Sequence, residues 1–132
     1  LFPDGRAVNF GATVPFKSDF ANQCFILEIW LTWALMLVIL HVSTGAKEKG
    51  ITAGIAVGAV IALEALFAGP ICGASMNPAR SLAPALVTGT SATLDVLWLY
   101  IAGPIIGAIL AVPTFALTRK IEMNPITIAE QK

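Results

Sequence analysis

The chain has 132 residues, of which 57% are hydrophobic and 12% charged, and its formal net charge is zero. A soluble domain carries about 25% charged residues, so this composition excludes an ordinary water-soluble globule and points to a membrane protein. The charge balance offers no basic surface for nucleic acid, and the two cysteines, Cys24 and Cys72, lie in apolar runs that suit small core residues better than a disulfide framework or a metal site.

In chain order, residues 1–20 carry Pro and Gly and read as an extracellular loop. No basic-then-apolar signal segment opens the chain, and the start at Leu1 without a methionine suits a processed product or part of a longer polypeptide. A bilayer core takes about 20 mostly apolar residues in a helix. Residues 23–42 supply the first such span, residues 51–67 a second containing one acid, Glu64, and residues 97–117 a third with no charge. The polar turn "STGAKEKG" joins the first two.

Lysine and arginine set the orientation. Lys47 and Lys49 follow the first span and Arg119, Lys120 and Lys132 follow the third, whereas the opposite side holds Arg6 and Lys17. The positive-inside rule puts the Leu1 side outside and residues 119–132 in a cytoplasmic tail, frayed from Met123 onward. Gly54 and Gly58, and Gly103 and Gly107, give two G-x-x-x-G pairs that let helix backbones approach, with glycine as mere filler the plainer alternative. Pro104 and Pro113 are expected to kink the third span unless neighbours satisfy the freed carbonyls.

The helical pattern is expected to break at Gly69-Pro70 and to restart at Asn77, so that residues 69–86 form a re-entrant loop and half-helix. Asn77 is a good N-cap and Pro78 suits the first helical position. Pro84 and the following "VTGTSAT" should keep this helix to residues 77–86, a rise of about 15 Å, or half of a roughly 30 Å hydrocarbon core. Irregular backbone at such depth is tolerated only when buried in protein or lining a water-filled cavity. A helix N-terminus there carries about +0.5 charge. Asn77 can cap its own helix and still donate its amide, and Arg80 adds a permanent positive charge. Such a site repels cations and protons and offers donors to a neutral, oxygen-bearing solute. The alternative places Arg80 at the water interface, snorkelling.

At these residues the sequence resembles the aquaporin, or major intrinsic protein, family. "NPARS" matches the family's signature box, "FILEIWLT" its fourth membrane helix, "GITAGIAVG" its fifth, "GPICGASMNPARSLAPAL" its second re-entrant segment and "WLYIAGPIIGA" its sixth helix. The resemblance implies an all-α membrane protein: three transmembrane helices plus one re-entrant half-helix, the second half of an aquaporin-type inverted repeat. The family has two such halves, each with an Asn-Pro-Ala box. One box is present here, so Asn77, Pro78 and Ala79 need an N-terminal half carrying the other. The resemblance further implies a lipid bilayer environment, a homotetramer, no cofactor, no metal and no catalytic residue.

Counting from the box, Ala65, Ala74 and Arg80 fall on three of the four constriction positions of the family. Water-selective members usually have histidine at the first, so Ala65 and Ala74 imply a wider, less polar opening. Tyr100 and Ile101 fall where strict water channels tend to have an aromatic pair, and together with "GASMNPARSL" they look more like nodulin-like intrinsic proteins and their bacterial relatives. Those members pass glycerol, urea and neutral metalloid acids such as arsenite. Ser81 stands where glycerol facilitators have aspartate, and Ala85 where they tend to have a basic residue. The expected function is therefore a passive channel for water and small neutral solutes. The alternatives are a water-selective aquaporin, or a non-conducting membrane subunit if the other half is never supplied. An enzyme is disfavoured, since the sequence has no spaced metal-ligand pair and no nucleophile elbow.

Glu28 lies inside a span and so is a functional or structural hypothesis by default. The family counterpart braces the re-entrant loop by accepting from its backbone. For Glu64 the candidate partners are loop N–H groups or a polar group of another subunit. His41 reads as an interfacial histidine or a gate. Trp30, Trp33 and Trp98 suit lipid-facing or packing roles, and Cys72 is expected close enough to the path for a thiol reagent to block it.

Overall fold

The computed structural model describes residues 11–44 and 51–122. The leading residues with Arg6, the stretch with Lys47 and Lys49, and the final residues with Lys132 lie outside the described residues. The described elements are helical: α1 (Ala21–Thr44), α2 (Ile51–Cys72), α3 (Pro78–Thr88), α4 (Ser91–Leu94) and α5 (Leu97–Glu122), with a 3-10 turn at Ser18–Phe20 before α1. Three stretches, Ala21–Thr44, Thr52–Cys72 and Ser91–Lys120, are long and apolar enough to cross a membrane.

The pattern of side-chain contacts gives the directions. Cys24 meets Ile71 and Trp30 meets Phe67, so α1 and α2 run antiparallel. Gly103 lies against Glu28, Thr114 bonds Trp33 and Thr118 bonds His41, so α1 and α5 run parallel. The α1–α5 packing is the most extensive among the described elements, and glycine makes it possible. A Cβ on Gly103 would stand 2.9 Å from the Glu28 Cβ, and one on Gly107 only 2.3 Å from the Ile29 carbonyl oxygen. Backbone is in contact with backbone there, the close approach that small residues permit between membrane helices. The other glycine pair differs: a Cβ on Gly54 or Gly58 would meet nothing within 4 Å.

A small core of Cys24, Leu31, Ala68, Cys72, Ala74, Leu99 and Tyr100 sits where α1, α2 and α5 converge. Large apolar side chains elsewhere point outward; Leu66 is 76% exposed and Val87 70%. In water such a surface would be a liability, but against lipid or a further protein layer it is expected.

Two expectations about proline need correction. First, α2 does not end at Gly69-Pro70 but runs to Cys72. Pro70 lies in the last turn, where its missing N–H forfeits a single ladder bond. The helix stops where the Gly73 N–H closes on the Gly69 carbonyl at 2.9 Å and Gly73 turns to φ +83°. Second, Pro84 does not shorten α3, which continues to Thr88; the Thr88 hydroxyl donates to the Pro84 carbonyl at 2.7 Å, and Gly89 in the left-handed region caps the end. After α3, "SAT" opens the short helix α4, and the hydroxyl of its N-cap Thr90 pairs with that of Thr93 at 3.1 Å. Helix α5 stays continuous through Pro104 and Pro113.

Candidate functional site at the turn between α2 and α3

The link from Gly73 to Asn77 is irregular and strained. Gly73, Ala74 and Met76 all have positive φ, and only the first is a glycine. A left-handed non-glycine residue costs roughly 1–2 kcal/mol, so two of them require something to hold them in place. Glu28 does so from beneath. Its Oε1 accepts the Ser75 N–H at 2.7 Å and its Oε2 accepts the Met76 N–H at 2.8 Å. The Cys72 thiol lies 3.6 Å from the same Oε1, and the Tyr100 hydroxyl donates to the Cys72 carbonyl at 2.6 Å. A carboxylate is suited to this position because it is acceptor-only and can take two amides at once.

The turn delivers the chain into α3. Asn77 has extended backbone, and its Oδ1 accepts from the Ala79 and Arg80 N–H groups at 3.0 and 3.4 Å. Pro78 opens the helix, where it has no N–H to leave unpaired. With Oδ1 used as the cap, the Asn77 amide group keeps its two donors free of partners among the described residues. Asn77, Ala79 and Arg80 are exposed, as is Ala65 on α2, whereas Pro78 is half-buried. The Arg80 guanidinium is held from the loop side: its Nη1 donates to the Gly11 carbonyl at 3.2 Å. The α3 N-terminus thus offers amide donors, a helix-end partial charge and a fixed guanidinium on one open face.

Other residues singled out from the sequence lie away from that face. Ala74 is only 7% exposed and its methyl belongs to the core cluster. Its backbone is left-handed, with φ +42°. Ser81 and Ala85 are buried on the inner side of α3, Tyr100 is fully buried beneath the turn, and Ile101 is half-buried. Cys72 is also fully buried, so its thiol is not open to a reagent at the exposed face, contrary to expectation. Glu64 is 4% exposed and neither carboxylate oxygen has a partner among the described residues; the loop amides proposed for it belong to Glu28. His41 is tucked at the far end of α1, with Nδ1 2.8 Å from the Leu37 carbonyl and its ring edge-on to Phe115. Trp30 and Trp98 are about half exposed, and Trp33 donates to Thr114 at 3.1 Å.

Sequence reasoning missed Thr13. It is 4% exposed, and its hydroxyl donates to Ser81 at 2.6 Å. It also fills the space beside Gly73, where a Cβ would stand 3.0 Å from its methyl. Nearby, the Phe16 N–H bonds the Ile71 carbonyl at 2.9 Å, so residues 11–16 fold over the turn. The sole signal in the sequence is a Thr between Gly11 and Pro15, with nothing to name a partner 68 positions away.

Comparison with known proteins gives this arrangement a context. The chain is 44% identical over 115 residues to Aquaporin NIP1-1 of Zea mays, an overlap of 87% of this chain and 39% of that protein. It is 48% identical over 104 residues to Aquaporin NIP3-1 of Arabidopsis thaliana, an overlap of 79% and 31%. Against Nodulin-26 of Glycine max it is 42% identical over 105 residues, an overlap of 80% and 37%. The chain therefore spans well under half the length of these relatives. The model of the family described as Major intrinsic protein matches residues 4–115, and the chain, with its helix-capping Asn-Pro-Ala box on that matched stretch, belongs to the major intrinsic protein family.

Proposed function

We propose that this chain forms one half of a passive membrane channel for water and small neutral solutes, with cations and protons excluded at the α3 N-terminus. The observation that carries this is the open face at that terminus, where the Asn77 amide keeps its donors free of partners among the described residues and Arg80 is fixed by the Gly11 carbonyl. Neutral oxygen-bearing solutes gain donors there and cations meet only positive charge. Relatives bearing the name aquaporin support water as one solute. The small, exposed Ala65 on α2, which counts onto a constriction position of the family, supports a width that also admits glycerol, urea and neutral metalloid acids such as arsenite.

The other half of the channel carries the second Asn-Pro-Ala box and covers part of the outward apolar surface of α2 and α3. Lipid covers the rest, and the channels assemble as homotetramers. Residues before α1 face the outside and the α5 end, with Arg119 and Lys120, faces the cytoplasm. The test is Asn77→Asp in the complete channel. Aspartate still caps α3, so folding is kept, but an anion replaces the amide donors. Stopped-flow light scattering of vesicles is expected to show loss of water and glycerol flux; unchanged permeability in inserted protein overturns the assignment.

A further inference from the structure

Three buried hydroxyls run in a line from the segment before α1 to the cap of α3. Thr13, Ser81 and Ser75 are 4%, 1% and 5% exposed. The Thr13 Oγ1 stands 2.6 Å from the Ser81 Oγ, the Ser81 Oγ stands 2.5 Å from the Ser75 Oγ, and the Ser75 Oγ stands 2.9 Å from the Asn77 carbonyl oxygen. Each hydroxyl has one proton to give. A carbonyl can only accept, so Ser75 donates to Asn77. Ser81 must then donate to Ser75, and Thr13 to Ser81. The three protons all point one way, toward Asn77, an alignment in which each bond polarises the next.

The same line has consequences at both ends. At one end, Ser75 is the residue whose N–H is held by Glu28, so the turn is gripped from two sides. At the other, Thr13 stands two residues after Gly11, whose carbonyl holds the Arg80 guanidinium at 3.2 Å. The Thr13 methyl wedged beside Gly73 adds a steric contact to the hydroxyl anchor. Losing the Thr13 hydroxyl would free the loop from α3 and, with it, the carbonyl that orients Arg80.

We propose that Thr13 is a selectivity-positioning residue: through Ser81 and Ser75 it docks residues 11–16 onto the α3 cap and so fixes where the Arg80 guanidinium stands. Ser81 belongs to this line instead of facing the path, which gives a physical reason for a hydroxyl at that position. The inference rests on the channel reading above and deepens it.

The test uses the complete channel in vesicles and reads the ratio of glycerol to water permeability, which a change in protein amount does not move. Thr13→Val keeps the shape and the methyl beside Gly73 but removes the donor; Thr13→Ser keeps the donor. Ser81→Ala breaks the line from within a helix, where alanine is well tolerated, so it serves if Thr13→Val does not fold. Thr13→Val and Ser81→Ala are each expected to shift the ratio by about twofold or more in the same direction, with the double variant moving no further than either single one. Thr13→Ser is expected to keep the wild-type ratio. An unmoved ratio in both single variants, additive effects in the double variant, or a Thr13→Ser shift equal to that of Thr13→Val overturns the proposal while the channel reading stands. A wild-type protein that passes neither solute overturns the channel reading itself.

Discussion

The carboxylate of Glu28 accepts the Ser75 backbone N–H at 2.7 Å, across 47 positions of sequence. This one bond ties the middle of a long apolar helix to the turn that presents the α3 cap. With its partner bond to Met76, it holds two left-handed non-glycine residues that would otherwise relax. A buried acid in a membrane helix here serves geometry: it is where the turn's amides find acceptors that lipid cannot provide.

Glu28→Ala removes both acceptors and leaves two buried amides unpaired, each costing about 1–3 kcal/mol. Glu28→Gln keeps one acceptor but turns an NH₂ donor on the second amide, so it too is expected to destabilise. Thermal unfolding in detergent is expected to show a lowered midpoint for both variants. A wild-type midpoint in Glu28→Ala would mean that the turn holds its shape without the brace.

Gly107→Ala puts a methyl 2.3 Å from the Ile29 carbonyl oxygen, which belongs to backbone and cannot rotate away. Helices α1 and α5 must then separate, at a cost of about 1–3 kcal/mol typical of overpacking. Reduced assembled protein on size-exclusion chromatography is the expected result. Full assembly of Gly107→Ala would show that the two helices can part at this point without penalty.

Much of this architecture is legible in the residues. The cap chemistry of Asn77-Pro78 and the three apolar runs follow from propensity and length, because both are local properties. The positions of helix ends were less legible. Pro70 and Pro84 looked like breaks, yet each sits where only one ladder bond is lost, and the true stops are Gly73 and Gly89, both left-handed. The direction of a side chain in irregular backbone was not legible at all. Ala74 counts onto a constriction position and is buried in left-handed backbone at φ +42°, a conformation that no composition or spacing encodes. The Thr13–Ser81 bond is equally hidden, since a threonine in a loop has no periodicity to say what it faces.

Ala65→His tests the width of the path. Ala65 is small and exposed on α2, and a histidine there fills room and adds a polar ring. Water needs little width and gains a partner, so its permeability is expected to survive while that of glycerol falls. Paired stopped-flow traces on the same vesicles decide the matter. Equal losses of both permeabilities would show that Ala65 does not stand at a size filter.

The central claim is that the open face at the α3 N-terminus passes neutral solutes and turns away charge, and Arg80 puts a fixed full charge on it. The most direct measurement is ionic conductance and glycerol permeability taken on the same reconstituted vesicles, for the wild-type channel and for Arg80→Ala. The account predicts glycerol flux without ionic current in the wild type, and the appearance of proton or cation current when the guanidinium is removed. Ionic current through the wild-type protein, or an Arg80→Ala variant as ion-tight as the wild type, would contradict it.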